Sequence, residues 1–338
     1  MNSFPIYNSI FDAFRFFAPH SRLIQLESPN ALFFRRTNRY ELVEMENGQL
    51  AAFPGMIFFP RQLYRGEPQQ YDSCKPSIYR NRDEDSLVLD ELRFIEFKNI
   101  LLQFPQIKHE IEGKANVDLL ALAQHYELNT NLLDLTSEPE IAAYFATHQW
   151  VNGVAEPVMT GIGCIRVFCM SDLDNDSRLH KIGLQCFQRP GIQAAFGYEM
   201  DRNDDLNEIG TRFFFKQTPN ASISIHMNFH MDQGKLAKIK ASGKTGFYKR
   251  CEVESETSWL FPQEEIADVA KLVKTSKVIS KISVEEYGKP CDDVLARNGI
   301  AVQDNLIYLL SPQHCEEMDK EYQERPYGDA QVFARLSC

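Results

Sequence analysis

Residues 120–150 read LALAQHYELNTNLLDLTSEPEIAAYFATHQW. Two segments rich in Leu and Ala, helical in character, flank a polar run from Gln124-His125 to Thr136-Ser137. A connection between helices needs only a few residues to turn the chain. This one carries an imidazole, amides, a carboxylate and hydroxyls, the groups that line a site. The first helix is expected over 117–126, with Asn116 as N-cap and Asp118 favourable at the positive helix end. The second is expected to start at Ser137, which spells a capping box with Glu140 three residues on, and Pro139 is tolerated in a first turn. The box alone accounts for Ser137, and Asp134 can hold the turn by bonding nearby amides. The polar run is nonetheless expected to line a pocket.

Outward from that stretch, residues 85–104 place apolar side chains at 88, 92, 95 and 102, the spacing of an amphipathic helix. The segment from Met56 to Tyr64 reads as a strand, as do 162–170 and 210–216. Residues 222–231, SISIHMNFHM, alternate without error between apolar and polar, which predicts a strand burying Ile223, Ile225, Met227, Phe229 and Met231. Residues 261–276 return to a helical pattern. Helices in the first half and a mostly antiparallel sheet in the second predict an α+β fold.

The bulk numbers exclude several classes. A net charge of -11 over 338 residues argues against nucleic acid as a partner and against docking on anionic lipid. No segment approaches the roughly 18 apolar residues of a membrane span. The N-terminus lacks the basic lead of a secretory signal. Eight scattered cysteines without CxxC pairs read as buried thiols of a cytoplasmic protein. His226 and His230 share a face of the expected strand, but four residues of strand span about 13 Å. That is too far for one ion bound at about 2.0–2.1 Å, so no metal site is expected. Neither a nucleophile elbow nor a phosphate-cradling glycine loop is present.

The motifs resemble one family. LYRGEPQQYDSCKPSIYR at 63–80 is similar to the opening of FRG-domain proteins, with Tyr64-Arg65-Gly66 as the motif and Pro76-Ser77-Ile78-Tyr79-Arg80 as its continuation. The family's Gln-His-x-Gly-x-Pro-Thr-Arg-Leu-Leu-Asp-Trp-Thr stretch is matched by Gln124-His125, Thr130, Leu132-Leu133-Asp134 and Thr136, then by Ala142 and Phe145-Ala146. Arg189, Gln193, Phe196 and Leu260-Phe261-Pro262 match later elements. Glu127, Asn129, Asn131 and Leu135 stand where the pattern has Gly, Pro, Arg and Trp, and the lost Arg removes an anion-binding fork. The resemblance implies an N-terminal segment over 1–55 packed on the core, an FRG domain over 56–272 and a C-terminal extension over 273–338.

A weaker similarity is to Arg-specific ADP-ribosyltransferases, which carry an aromatic-Arg-Gly strand end, a hydroxyl-bearing strand before an Ala-x-x-Phe helix, and a catalytic Glu. Together the two similarities imply Arg65, His125, Thr136 and Gln193 as catalytic candidates, with Glu199 as a fallback carboxylate. Tyr64, Gly66, Arg80, Gln124, Asp134 and Ser137 would bind the ligand. NAD would be the substrate, and no bound cofactor or metal is implied. The functional expectation is an NAD-using ADP-ribosyltransferase-like or NAD-cleaving enzyme; the alternative is a non-catalytic ligand- or protein-binding regulatory module.

Overall fold

The computed structural model describes residues 5–27, 40–45, 48–54, 60–80, 82–113, 115–151, 154–173, 177–230, 258–262 and 264–324. The main sheet has seven strands in the order β1 (Ile6–Tyr7), β11 (Thr211–Lys216), β8 (Ile162–Cys169), β4 (Gln62–Glu67), β5 (Leu132–Thr136), β10 (Ala195–Glu199) and β9 (Leu179–Lys181). Every neighbouring pair is antiparallel except β1 with β11. Hairpins β2–β3 (Tyr40–Glu44, Leu50–Pro54) and β6–β7 (His148–Val151, Val154–Pro157) and the parallel pair β12–β13 (Val278–Ser280, Ala301–Gln303) stand apart. The fold is α+β, and its sheet draws strands from both halves of the chain.

Both faces of the sheet are covered, which explains why β8 reads as a nearly continuous apolar run. On one face Tyr64, Ile165, Val167, Phe213 and Phe215 pack against helices α1 (Ile10–Phe17), α5 (Pro139–Thr147) and α8 (Pro219–His230). On the other, Leu63, Leu133, Leu135, Phe168, Phe196 and Tyr198 form a second core. A third joins α2 (Glu84–Leu101), α3 (Pro105–Glu112), α4 (Leu119–His125) and α9 (Glu265–Thr275) through Phe97, Ile100, Phe104, Leu122, Tyr126 and Val269. α2 also takes the C-terminal elements α10 (Lys281–Tyr287) and α11 (Asp292–Arg297): Leu89 and Leu92 pack with Ile279, Leu295 and Ile300. Short α6 (Met170–Leu173), α7 (Gln188–Ile192) and the later α12 (Pro312–Glu324) complete the helices. No helix among the described residues is long and apolar enough to cross a membrane.

Several local expectations are corrected. The strand expected from Met56 to Tyr64 is β4, which begins at Gln62 and runs on to Glu67, with residues 55–59 outside the described residues. The polar run of 124–137 is not all connection: it contains β5, whose Leu133 and Leu135 face one core while Asp134 and Thr136 point the other way. Asp118, not Asn116, caps α4, its carboxylate accepting from the Ala121 amide at 2.8 Å. No capping box forms at Ser137: Glu138 holds the cap position of α5, and the Glu140 carboxylate accepts from Ser21 and the Arg22 amide instead, at 2.8 and 2.9 Å. Glu140 thus ties α5 to the N-terminal segment.

The largest correction concerns residues 222–231, which up to His230 lie in helix α8; Met231 is outside the described residues. Pro219 opens it, where a missing amide costs nothing. The helix is enclosed almost all round, with Ser222, Ser224, Ile225, Met227, Asn228 and Phe229 buried. An alternation of Ser and Ile then carries no facial information, because both types face protein. The small polar groups bond backbone: Ser222 Oγ donates to the Val158 carbonyl at 2.6 Å and Asn228 Nδ2 to the Ser224 carbonyl at 2.8 Å. Of the eight cysteines, Cys74, Cys164, Cys186 and Cys291 are buried free thiols, Cys169 is exposed and Cys315 partly so.

Candidate functional site

β4 and β5 are paired at one position, Tyr64 with Thr136, and then diverge. A cleft of about 360 Å³ opens there. Across it the Asp134 carbonyl accepts from Arg65 Nη1 at 2.9 Å. The end of α4 supplies Gln124 and His125, α5 supplies Ala142 and Phe145, and Arg80, Asn129, Trp150, Gln193 and Phe261 are also among the lining residues. Residues far apart in sequence are brought together because one strand pair splits between two helices.

The polar groups are held in an ordered chain. Thr130 Oγ1 donates to Gln124 Oε1 at 2.6 Å, so Gln124 Nε2 faces Asp134 Oδ2 and donates at 2.8 Å. Gln193 Nε2 donates to the Leu260 carbonyl at 3.0 Å, which turns its Oε1 towards His125 Nδ1, also at 3.0 Å. An amide oxygen only accepts, so His125 carries its proton on Nδ1 and presents a bare lone pair at Nε2. Burial, opposed by the neighbouring Asp134 carboxylate, holds His125 below its usual pKa, so the ring is neutral at pH 7. His125 Nε2 and Asp134 Oδ1 are both buried without a hydrogen-bond partner among the described residues.

Two guanidiniums line the same cleft. Arg65 reaches Glu67 Oε1 at 3.4 Å, but Glu67 is shared with the fully buried Arg166, whose Nε lies 2.8 Å from Oε2. Arg80 donates to the Lys75 carbonyl at 2.7 Å. Burial, and then the charge of Arg65, hold Arg80 below its ordinary pKa. Two cations close enough to repel, with one carboxylate already shared, favour an anion between them.

The remaining candidates are placed as follows. Thr136 lines the cleft but donates its hydroxyl to the Gln193 carbonyl at 2.7 Å and accepts from the Glu138 amide at 3.1 Å. Tyr64 lies between this cleft and a second one of about 440 Å³, which Ser137 lines instead of the first. Gly66 faces α5, where an added Cβ would sit 1.8 Å from the Ala142 carbonyl oxygen. Glu199 does not line the cleft; it accepts from Asn131 at 2.9 Å and meets His180.

Arg189 braces the site from behind, donating to the His125 carbonyl at 2.9 Å with its guanidinium 4.4 Å from the Tyr126 ring centre. Glu127 has φ +71°, a left-handed conformation that suits glycine, the residue of the family pattern there. Sequence reasoning missed the Glu67–Arg166 pair and the aromatic wall of Trp150 and Phe261, whose rings meet edge-on at 4.8 Å. Glu67 had a signal, since two residues beyond Arg65 on a strand is the same face.

A family model, the FRG domain, matches residues 60–152. That stretch holds every lining residue except Gln193 and Phe261, so the resemblance in the motifs extends over most of the cleft. No curated protein and no solved structure matches the chain.

Proposed function

We propose that the cleft binds NAD, or an anion of the same build carrying hydroxyl and amide donors. What supports this reading is one observation: two bare buried acceptors, His125 Nε2 and Asp134 Oδ1, share the cleft with Arg65 and Arg80. A dinucleotide offers complementary groups, phosphates for the guanidiniums and ribose hydroxyls or a carboxamide for the acceptors. The cleft volume falls in the range of small-molecule sites, and the aromatic wall suits a flat ring.

As an ADP-ribosyltransferase-like or NAD-cleaving enzyme, the chain would need a carboxylate beside the breaking glycosidic bond. Gln193 carries no charge and both ends of its amide are engaged, and Glu199 lies elsewhere. Asp134 takes that part instead. In the hydrolytic step the anomeric carbon–nitrogen bond breaks and nicotinamide leaves with its electron pair. Water forms the new carbon–oxygen bond and gives its proton to His125 Nε2, while Asp134 stabilises the oxocarbenium-like centre. The engaged, neutral Gln193 favours the second reading, a regulatory module that binds the same ligand without cleaving it.

Nicotinamide release by the wild type and by Asp134→Asn separates the two. The enzyme reading predicts a rate at least ~100-fold lower in the variant with NAD affinity within a few-fold. Binding without release in the wild type leaves the regulatory module. Equal release by both proteins removes Asp134 from the mechanism.

A further inference from the structure

Helix α8 sets His226 and His230 one turn apart on the same side, and His148 lies at the junction of α5 and β6. One ring nitrogen from each of these histidines lies within 4.8 Å of the other two. His148 Nε2 and His226 Nδ1 are 3.0 Å apart. His148 and His230 are buried and His226 is partly exposed. None of the three lines either cleft. The strand expected over 222–231 would have spread two of them about 13 Å apart; the helix removes that objection.

We propose that His148, His226 and His230 form a binding site for a zinc-class divalent ion, with its fourth position open on the side of His226. An all-imidazole donor set suits Zn²⁺, Co²⁺, Ni²⁺ or Cu²⁺ and disfavours Mg²⁺ and Ca²⁺, which take oxygen ligands. Bonds of about 2.0–2.1 Å to a tetrahedral ion put ligand nitrogens roughly 3.3 Å apart. The His148–His226 pair is near that spacing already, and all three ligand nitrogens lie within 4.8 Å of one another.

The surroundings suit the task. His148 Nδ1 lies 2.8 Å from the Tyr144 carbonyl, which accepts its proton and leaves Nε2 as the ligand atom. The Tyr144 hydroxyl lies 2.8 Å from His230 Nε2 and its ring stacks on His148 with centres 4.0 Å apart, fixing both side chains. A bound ion would pin α8 to the α5–β6 junction, which carries Phe145 and Trp150 of the cleft wall.

The test uses the full chain, stripped with a chelator and titrated with Zn²⁺ and, separately, Co²⁺. One equivalent of either ion should bind. The Co²⁺ form should show the visible bands of a low-coordinate nitrogen site without the intense near-ultraviolet band of a thiolate, and Zn²⁺ should raise the melting temperature. His226→Ala, chosen because that ring is the least buried, should lower affinity at least tenfold, as should His148→Asn, with circular dichroism as the folding control. Less than stoichiometric binding, a thiolate-dominated Co²⁺ spectrum, or wild-type affinity in both folded variants would overturn the site.

Discussion

Gly66→Ala is expected to cost the protein at least ~3 kcal/mol and to leave much of it unfolded at 37 °C. Gly66 has an ordinary φ, so the cause is space and not conformational freedom. A Cβ built there lies 1.8 Å from the Ala142 carbonyl oxygen and 2.6 Å from the Ala146 amide nitrogen. Both obstacles are backbone atoms of α5, so no side chain can rotate away. The strand must leave the helix or the helix must leave the sheet, and either opens a core in which Tyr64, Ala142 and Ala146 are packed together. Equilibrium urea unfolding compares the two proteins through their midpoints. A variant with the wild-type midpoint would show that β4 and α5 are not in this contact. The glycine of the Tyr-Arg-Gly motif is thereby assigned to packing, while its neighbour Arg65 lines the cleft.

Arg166→Met should cost about 3–5 kcal/mol, the usual effect of breaking a buried pair from one side. The Arg166 side chain is fully buried against Glu67, and it also donates to Asn207 Oδ1 at 2.7 Å and to the Tyr71 carbonyl at 3.3 Å. Its loss leaves the Glu67 carboxylate, 2 % exposed, with the longer contact to Arg65 alone. Glu67→Leu combined with Arg166→Met removes both charges and should recover a large part of the loss, which a double-mutant cycle reads directly. Additive losses in the double variant would mean that the two side chains are not energetically coupled.

Much of this was legible in the sequence, for identifiable reasons. The helical spacing of 85–104 and 261–276 became α2 and α9, and the β-rich runs at 162–170 and 210–216 became β8 and β11. β8 and β11 are rich in β-formers, and α9 has an apolar side of Ile266, Val269, Ala270 and Val273. Of the stripe expected at 88, 92, 95 and 102, however, only Leu92 is buried, and α2 buries Asp90 and Glu96 as well. The family motifs brought Arg65, Gln124-His125 and Asp134 to one cleft, which no periodicity could have done, because only the split of β4 from β5 joins them. What failed was pattern without burial information. Ile223 and Ser224 look like opposite faces of a strand, yet α8 packs against α5, β7 and the Arg22–Glu27 turn. Trp259 closes a further side, its Nε1 donating to the Asn228 carbonyl at 3.1 Å. A helix with protein on nearly every side has no polar face for a pattern to mark.

The capping box at Ser137 failed for a related reason. Glu140 has a stronger use, accepting from Ser21 and the Arg22 amide more than a hundred residues away in sequence, and no local pattern records a distant partner. The same holds for Gln193. Read as a stand-in for a catalytic Glu, it invites Gln193→Glu as an activating change. Its amide instead joins His125 to the Leu260 carbonyl, and a carboxylate there would face a carbonyl oxygen inside the protein, an unfavourable burial of charge.

Whether Arg65 and its cleft hold an anion of the NAD class is tested most directly by calorimetric titration of NAD into the wild type and into Arg65→Ala, with thermal melts as the folding control. The wild type is expected to bind saturably and the variant at least tenfold more weakly, since losing a charge-assisted contact costs about 1.5–3 kcal/mol. The melting temperature should change little, because Arg65 makes one backbone bond and one long ion pair. No saturable binding by the wild type at millimolar NAD, or equal affinity in the two proteins, would contradict the assignment of the cleft.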